Sequence, residues 1–277
     1  MRVNNLKKSA VILFGSSVLC LGAQANDHDH SQDNGSTEIC EGFGPQTPRD
    51  IDSKVGTNKR IISMAPEANQ MNLCNIHYHV NAEHKAADFS IYAGEGDNGY
   101  GGGYLCNASE SLSAAELAKP DTNFCENLNP GDTIEVHWVH TSCDVTPGPG
   151  LGSCLSEGCA NPNLRVETQV FTVVNDANAL DFNTLSYEGN VSGGYHQAKT
   201  LPTNTGVPVV FAGSTTGPSY TEQTCSPLQV TWSVRPQCAK VDINSLSKWC
   251  ENNAFDESKG HGVRKLVTNP ALLSEIN

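Results

Sequence analysis

Two short windows of the sequence hold most of its histidines. The first contains His77 and His79, one residue apart, followed by the pair Glu83-His84. The second, residues 135–140, reads Glu-Val-His-Trp-Val-His, so five of the nine histidines lie in these two windows. Neutral imidazole is the commonest protein ligand for metal ions. The clustering therefore predicts one metal site built from both windows.

Both windows are predicted to be β-strands, and strand geometry sorts their side chains. Because side chains alternate between the faces of a strand, His77 and His79 share a face with Asn75, and His137 shares a face with Glu135. If the two strands are neighbours, the three imidazoles converge and leave a coordination position open, as in a catalytic zinc site. Asn75 and Glu135 are then predicted to orient the ligands by hydrogen bonds to their outer ring nitrogens.

The remaining polar side chains of the windows receive other predictions. His140 falls on the face opposite His137, among apolar residues, and is predicted to be a buried structural histidine. His84 is also predicted to be structural. Glu83 is either a metal ligand or a hydrogen-bond partner, and the spacing alone leaves both open.

The rest of the chain is predicted to be mostly short strands joined by turns. Strands are predicted at residues 73–80, 88–93, 133–141, 164–174, 207–212 and 228–234, short helices at 111–118 and 243–250, a glycine-rich loop at 94–103, and a disulfide-pinned loop at 142–163. The predicted fold class is mainly β, a single domain on one large, mostly antiparallel sheet with short helices and disulfide-pinned loops.

The N-terminus is predicted to direct the chain out of the cytoplasm. Basic residues precede an apolar run that ends at Ala23-Gln24-Ala25, which predicts a signal peptide at residues 1–25 and a flexible polar leader at 26–39. The domain then covers residues 40–277. The apolar run is too short for a comfortable membrane span, and no later stretch is apolar enough for one. The expected location is periplasmic or extracellular.

Cysteine count and charge agree with that location. Cleavage leaves ten of the 11 cysteines, an even number that favours disulfides in a secreted chain, although their pairing stays open. The net charge is −13, and removal of three basic residues in the signal peptide brings it to −16. A surface this acidic argues against nucleic acid and anionic membranes as partners.

The histidine windows resemble those of the carbonic anhydrases. Residues 74–85, Cys-Asn-Ile-His-Tyr-His-Val-Asn-Ala-Glu-His-Lys, are similar to a stretch of the delta class, and the order of the motifs also parallels the alpha class. The resemblance implies a carbonic-anhydrase-like fold with Zn²⁺ bound by His77, His79 and His137. It implies the reversible hydration of carbon dioxide to bicarbonate and a proton by a zinc-bound hydroxide. Carbon dioxide, bicarbonate and water would be the substrates and products.

The same resemblance implies roles for residues that do not bind the metal. Glu135 would be the partner of His137, and Glu83 would hold the hydroxyl of a threonine that orients the hydroxide. Residues 220–226, followed by a Val-Thr-Trp strand, are similar to the threonine loop of the alpha class, although its Thr-Thr-Pro-Pro run is absent. Thr221 is the candidate threonine, with Thr224 as the second choice. No counterpart of the alpha-class proton-shuttle histidine is found.

Two alternatives remain at this stage. In a cupin-type metal enzyme, Glu83 would join His77, His79 and His137 as a ligand, and iron or manganese would be plausible. Against it, Ser90 stands where the cupin motif expects a glycine. In the other alternative, the chain is a non-catalytic binding module on the same fold, but such relatives usually lose metal ligands.

Overall fold

The computed structural model describes residues 38–97, 100–264 and 266–276. The predicted signal peptide and the leader up to residue 37 lie outside the described residues. Within the described ranges, no helix is long and apolar enough to cross a membrane.

The described chain is built mainly from strands, with one α-helix. The strands are β1 (Asn72–Val80), β2 (Ile91–Tyr92), β3 (Gly96–Asp97), β4 (Tyr100–Gly101), β5 (Tyr104–Leu105), β6 (Thr133–Thr141), β7 (Leu164–Val174), β8 (Val191–Ser192), β9 (Tyr195–His196), β10 (Val209–Ser214), β11 (Gln229–Val234), β12 (Ala239–Asp242) and β13 (His261–Gly262). The helix α1 is Ile243–Glu251, and short 3₁₀ helices lie at Ala68–Gln70, Asn107–Ser111, Leu151–Cys154, Phe182–Thr184 and Pro270–Leu272.

Seven strands form one large sheet, which confirms the predicted mainly β fold class. The order is β10-β11-β7-β6-β1-β13, and β12 also pairs with β7. The pairs β1–β6, β6–β7 and β10–β11 are antiparallel, whereas β13 runs parallel to β1, and β11 and β12 run parallel to β7. The sheet is therefore mixed. A long stretch of chain separates each of these three strands from its parallel partner, and such a connection allows parallel pairing.

The five longest sheet strands match their predicted positions within two residues. Two shorter predictions differ from the structure. Residues 88–93 are a strand only at β2, since Asp88 is held in other contacts: its carbonyl accepts from Asn107 N (3.0 Å) and its Oδ2 accepts from Cys238 N (2.6 Å). The glycine-rich loop contains the small hairpin of β3 and β4.

The predicted helix at residues 111–118 is wrong. Ser113 begins a single helical turn, in which Leu117 N donates to Ser113 O (3.1 Å). Ser113 N donates to Glu116 Oε2 (2.8 Å) and Glu116 N donates to Ser113 Oγ (3.3 Å), so the helix-starting capping box does form. Pro120 then disfavours helix in the residue before it, and too few residues remain to offset the cost of nucleation.

Apolar residues pack on both faces of the large sheet. One cluster joins Ile76, Tyr78 and Trp138 to Trp249 of α1. A second cluster includes Val139, Val170, Phe211 and Trp232. The alternation along β1 and β6 therefore holds each strand in a fixed register, because a slip of one residue would exchange the side chains of its two buried faces.

All ten cysteines from Cys40 onward are paired, which confirms the prediction of disulfides. The pairs are Cys40–Cys225, Cys74–Cys154, Cys106–Cys238, Cys125–Cys250 and Cys143–Cys159. Two of them hold the loop at residues 142–163, and one of these ties it to β1 beside the first histidine window. Five disulfides indicate an oxidising compartment.

Candidate metal centre

Three histidine side chains meet on the face of the sheet that β1 and β6 share. His77 and His137 are paired residues of these antiparallel strands, and His79 lies two residues further along β1. The ring centroids of His77 and His79 lie 5.0 and 4.9 Å from that of His137. One ring nitrogen from each of the three lies within 4.8 Å of the others. Strand parity and register thus bring the three imidazoles to one point.

The outer nitrogen of His77 is held by Asn75. Asn75 Nδ2 donates to the carbonyl of Gly148 (3.1 Å), so its Oδ1 faces His77 Nδ1 at 2.6 Å as an acceptor. An acceptor at this position places the imidazole proton on Nδ1. Nε2 of His77 therefore presents a lone pair to the other histidines.

Glu135 holds His137 in the same manner. Glu135 Oε1 lies 2.7 Å from His137 Nε2 and 2.7 Å from His84 Nδ1, while its Oε2 accepts the backbone N–H of His84 (3.1 Å). Burial alone would raise the pKa of Glu135, but His84 and His137 outweigh it and hold that pKa well below its usual range. An ionised carboxylate only accepts hydrogen bonds. In the neutral form of His137 this contact therefore places the proton on Nε2 and leaves Nδ1 as the lone pair.

His79 is oriented by groups from two other parts of the chain. Its Nδ1 lies 3.3 Å from the carbonyl of Gly262 on β13 and 3.3 Å from Glu83 Oε1. Both neighbours favour a proton on Nδ1. Nε2 is buried and has no hydrogen-bond partner among the described residues.

These tautomers leave lone pairs facing one another across a buried space. His137 Nδ1 and His77 Nε2 are 3.2 Å apart, and with both rings in these neutral tautomers neither nitrogen carries a proton. Burial, together with the neighbouring imidazoles, lowers the pKa of His77 and His79 well below its ordinary value. Both rings are thus neutral near pH 7, the form that binds metal. A cation between the nitrogens resolves their repulsion, so the donor set fits a metal ion.

Glu83 lies behind His79 rather than beside the converging nitrogens. Its Oε1 contacts the outer nitrogen of His79, and burial raises the pKa of Glu83. Its Oε2 has no partner among the described residues, and no described hydrogen bond joins it to a threonine hydroxyl. This placement does not provide the carboxylate ligand that a cupin-type site requires.

The model of the delta carbonic anhydrase family matches residues 68–245 of the sequence, which include both histidine windows. The chain belongs to the delta carbonic anhydrase family. It is therefore a carbonic anhydrase, an enzyme of the reaction that interconverts carbon dioxide and bicarbonate.

Solved structures with detectable similarity are distant. A hyperthermostable carbonic anhydrase from an active hydrothermal vent chimney is 14% identical, with 86% of this chain and 88% of that chain covered and a TM-score of 0.32. The alpha-carbonic anhydrase of Thermovibrio ammonificans, solved with sulfanilamide, is 13% identical, with 82% and 84% covered and a TM-score of 0.25. No curated protein matches the sequence.

A cavity of about 160 Å³ opens over the converging histidines of this carbonic anhydrase. His77, His79 and Asn75 form part of its wall. The other lining residues come from three further segments of the chain, and they are Gly150, Leu151, Thr216, Glu257, His261 and Arg264. A small molecule in this cavity would meet the histidines, one hydroxyl, one apolar side chain and charged groups.

Thr216 is the threonine that lines the cavity, whereas the candidate from the sequence is Thr221. The Thr221 hydroxyl accepts the backbone N–H groups of Gln223 (3.1 Å) and Thr224 (3.2 Å), which folds residues 221–224 into a local turn. Neither Thr221 nor Thr224 lines the cavity. The usable signal is the Thr-Thr-Gly-Pro run at residues 215–218, which differs from the alpha-class run by one glycine and directly follows β10.

His261 and Arg264 are cavity residues that the sequence analysis missed. His261 pairs with His79 in the register of β13 with β1, and its ring centroid lies 5.5 Å from that of His77. Its Nε2 lies 3.1 Å from Glu257 Oε1, and its side chain is 41% exposed. In the sequence, the only indication of a role for His261 is its spacing of four residues from Glu257, which is the carboxylate it contacts.

The other two window histidines are buried away from the cavity. His140 contacts the carbonyl of Trp138 through Nδ1 (3.0 Å), and burial lowers its pKa to about 4. His84 packs its ring 4.8 Å from the Trp232 ring while it donates to Glu135. His84, Glu135 and His137 also lie close enough to hold an ion, but the hydrogen bonds among them already account for that contact.

Proposed function

We propose that this carbonic anhydrase is a zinc enzyme that hydrates carbon dioxide reversibly, with His77 Nε2, His79 Nε2 and His137 Nδ1 as the zinc ligands. The observation that carries the proposal is the pair of inward-facing nitrogens, His77 Nε2 and His137 Nδ1, which lie 3.2 Å apart. Tetrahedral zinc with Zn–N bonds of about 2.0–2.1 Å holds its nitrogens roughly 3.3–3.4 Å apart. The separation of this pair thus suits tetrahedral zinc.

The supporting residues suit the same assignment. Asn75, Glu135 and the pair of Glu83 with the Gly262 carbonyl each hold the outer nitrogen of one histidine. Such contacts fix the tautomer and the direction of the ligand lone pair. Since all three ligands are neutral imidazoles, a bound ion keeps its full positive charge, which favours ionisation of water.

In the hydration reaction, water adds to the carbon of carbon dioxide, and bicarbonate and one proton are the products. Bound zinc supplies the Lewis acid that makes water a nucleophile near neutral pH. The Thr216 hydroxyl lines the cavity and can accept a hydrogen bond from the attacking water, which orients the oxygen lone pair toward carbon dioxide. Leu151 offers apolar surface to the neutral substrate. His261, half exposed beside Glu257, lies where it can relay the released proton to solvent.

Metal content measured together with the rate of carbon dioxide hydration tests the proposal. Purified protein is expected to hold zinc in equimolar amount and to be active. His137→Ala is expected to lose both zinc and activity, yet to unfold cooperatively, because the disulfides and the two apolar clusters do not depend on the metal. His196→Ala is the matched control, since His196 pairs with Tyr187 outside the cavity.

Three results would each refute a part of the proposal. Iron or manganese in the active protein, with no zinc, would exclude the zinc assignment. Equal activity of His137→Ala and the unmodified enzyme would exclude His137 as a ligand. Zinc binding without hydration activity would favour the non-catalytic module.

A further inference from the structure

Arg264 is the one lysine or arginine among the described residues that line the histidine cavity. It lies two residues after β13, the strand that carries His261. It also lines a larger cavity of about 500 Å³, which is bounded on other sides by Tyr104, Glu222 and Thr268. The side chain of Arg264 therefore borders both cavities.

The guanidinium of Arg264 has no carboxylate partner within ion-pair distance in the described part of the chain. Its Nη1 donates to the neutral carbonyl of Gly262 (3.1 Å), and its Cζ lies 4.7 Å from the centre of the Tyr100 ring. Its Nε is buried without a hydrogen-bond partner. Arg165, by contrast, binds two carboxylates, those of Glu67 (2.9 Å) and Glu167 (2.6 Å).

The nearby carboxylates of the described residues form no ion pair with the Arg264 guanidinium. Glu257 directs Oε1 to His261, and Glu83 accepts a hydrogen bond from the backbone N–H of Arg264 (3.5 Å), not from its guanidinium. Guanidinium has five N–H donors in a planar fork. Arg264 therefore keeps both positive charge and donors for a ligand.

The chemistry of the reaction identifies a ligand of the right shape. Carbon dioxide is neutral and cannot form an ion pair with a cation. Bicarbonate is a planar anion that can present two oxygens to a guanidinium fork. The chain carries a net charge of −13, so its overall field repels anions. A local, unpaired cation at the cavity wall is the feature that can hold such an anion near the histidines.

We propose that Arg264 is a bicarbonate-binding residue, which holds the anion beside the metal site as it leaves in hydration and as it enters in the reverse reaction. This inference rests on the proposed function for its choice of anion. The competing interpretation is structural: Arg264 would serve only to pack against Tyr100 of the hairpin β3–β4.

Bicarbonate binding, rather than catalysis alone, is the quantity to measure. The equilibrium constant of the reaction fixes the ratio of kcat/KM in the two directions, so a substitution must change both by the same factor. The experiment therefore measures two quantities for each variant. One is the inhibition constant of bicarbonate in carbon dioxide hydration, and the other is the rise in Tm that bicarbonate causes relative to chloride at equal ionic strength. Both are measured on the zinc-loaded full chain for Arg264→Met, Arg264→Lys and Arg60→Met, where Arg60 is an exposed arginine that controls for the change in net charge.

Loss of charge-assisted hydrogen bonds predicts that Arg264→Met raises the inhibition constant by about tenfold or more and abolishes most of the Tm shift. Arg264→Lys keeps the charge but loses the fork, so it should fall between Arg264→Met and the unmodified enzyme, and Arg60→Met should match the latter. Zinc content should be the same in all four proteins.

If folded Arg264→Met binds bicarbonate with the same affinity as the unmodified enzyme, the inference is overturned and the structural role is favoured. If Arg264→Met does not fold, Arg264→Lys provides the test. An unchanged affinity of Arg264→Lys for bicarbonate would then overturn the proposed contact of the guanidinium fork with two bicarbonate oxygens. A Tm shift that depends on Arg264 in a zinc-loaded protein without hydration activity would support the anion site while refuting the proposed function.

Discussion

Replacement of Glu135 by glutamine tests the geometry of the metal centre most directly. The side chain keeps its size, but the carboxylate, which accepts three hydrogen bonds, becomes an amide with one accepting end. If the amide oxygen faces the imidazoles of His84 and His137, the NH₂ group meets the backbone N–H of His84, and two donors oppose each other. If the amide is reversed, His137 must move its proton from Nε2 to Nδ1, which removes the lone pair proposed to bind zinc.

The expected magnitudes follow from these contacts. Leaving the buried N–H of His84 unpaired costs about 1–3 kcal/mol, and two charge-assisted bonds become neutral ones at about 1 kcal/mol each. Relief from burying a charge offsets part of this. We therefore expect Glu135→Gln to lower the free energy of unfolding by about 2–4 kcal/mol. Loss of a hydrogen-bond partner of a metal ligand typically lowers metal affinity by about 10–100-fold.

The sign of the pH dependence adds a second readout. The folded-state pKa of Glu135 is depressed, so its stabilisation is present above the unfolded pKa of about 4.3 and is lost as pH falls through the folded value. The stability gap between the unmodified protein and Glu135→Gln should therefore be full at neutral pH and shrink below about pH 4.

Zinc affinity is measured by competition with a chromophoric chelator, and stability by denaturant unfolding of the metal-free protein. Glu167→Gln is the matched control, because Glu167 is a strand carboxylate that pairs with Arg165 (2.6 Å) outside the histidine cluster. The control should keep its zinc affinity. Unchanged zinc affinity and stability in Glu135→Gln would refute the tautomer assignment of His137, and with it the argument from facing lone pairs.

Further substitutions separate the remaining roles. Thr216→Val should lower kcat/KM by about tenfold or more through loss of the cavity hydroxyl, while Thr221→Val should leave kcat/KM nearly unchanged. Equal effects of the two substitutions in a hydration assay would contradict the assignment of the catalytic hydroxyl to Thr216 rather than Thr221. Glu83→Gln should keep zinc but bind it about tenfold more weakly, since Oε1 contacts the outer nitrogen of His79; complete loss of zinc would make Glu83 a ligand. His140 is buried with a pKa of about 4, so its stabilisation is present above the unfolded pKa of about 6.5 and is lost as pH falls. The unmodified protein should lose about 2 kcal/mol more than His140→Gln between about pH 7 and pH 5, as measured by denaturant unfolding, and parallel losses would place His140 outside the core.

The sequence is most informative where one local pattern decides the structure. The long strands β1, β6 and β7 were predictable because apolar side chains recur at every second residue and no tertiary contact competes with that pattern. The same alternation predicts that His77, His79 and Asn75 share a face. The helix predicted at residues 111–118 did not form, because the capping box at Ser113 is not enough when a proline follows within a few residues.

Residues from the C-terminal segment were not predictable in this way. His261 and Arg264 reach the cavity because β13 returns to pair with β1 after a separation of 182 residues, over only two residue pairs. A pairing that short leaves no periodic pattern, and its register is set by the packing of the whole domain. A histidine and an arginine in such a segment look like ordinary surface residues until the sheet is assembled.

The orientation of the ligands has a further cause that no residue pattern could reveal. Two of the groups that orient the histidines of the candidate metal centre are backbone carbonyls: Gly148 O fixes the amide of Asn75, which in turn fixes His77, and Gly262 O contacts the outer nitrogen of His79. A carbonyl is the same in every residue, so its position depends on the path of the chain and leaves no mark in the amino-acid types. The sequence can therefore predict which imidazoles meet, but the nitrogen that each offers becomes clear only once the loop at residues 142–163 and β13 are in place.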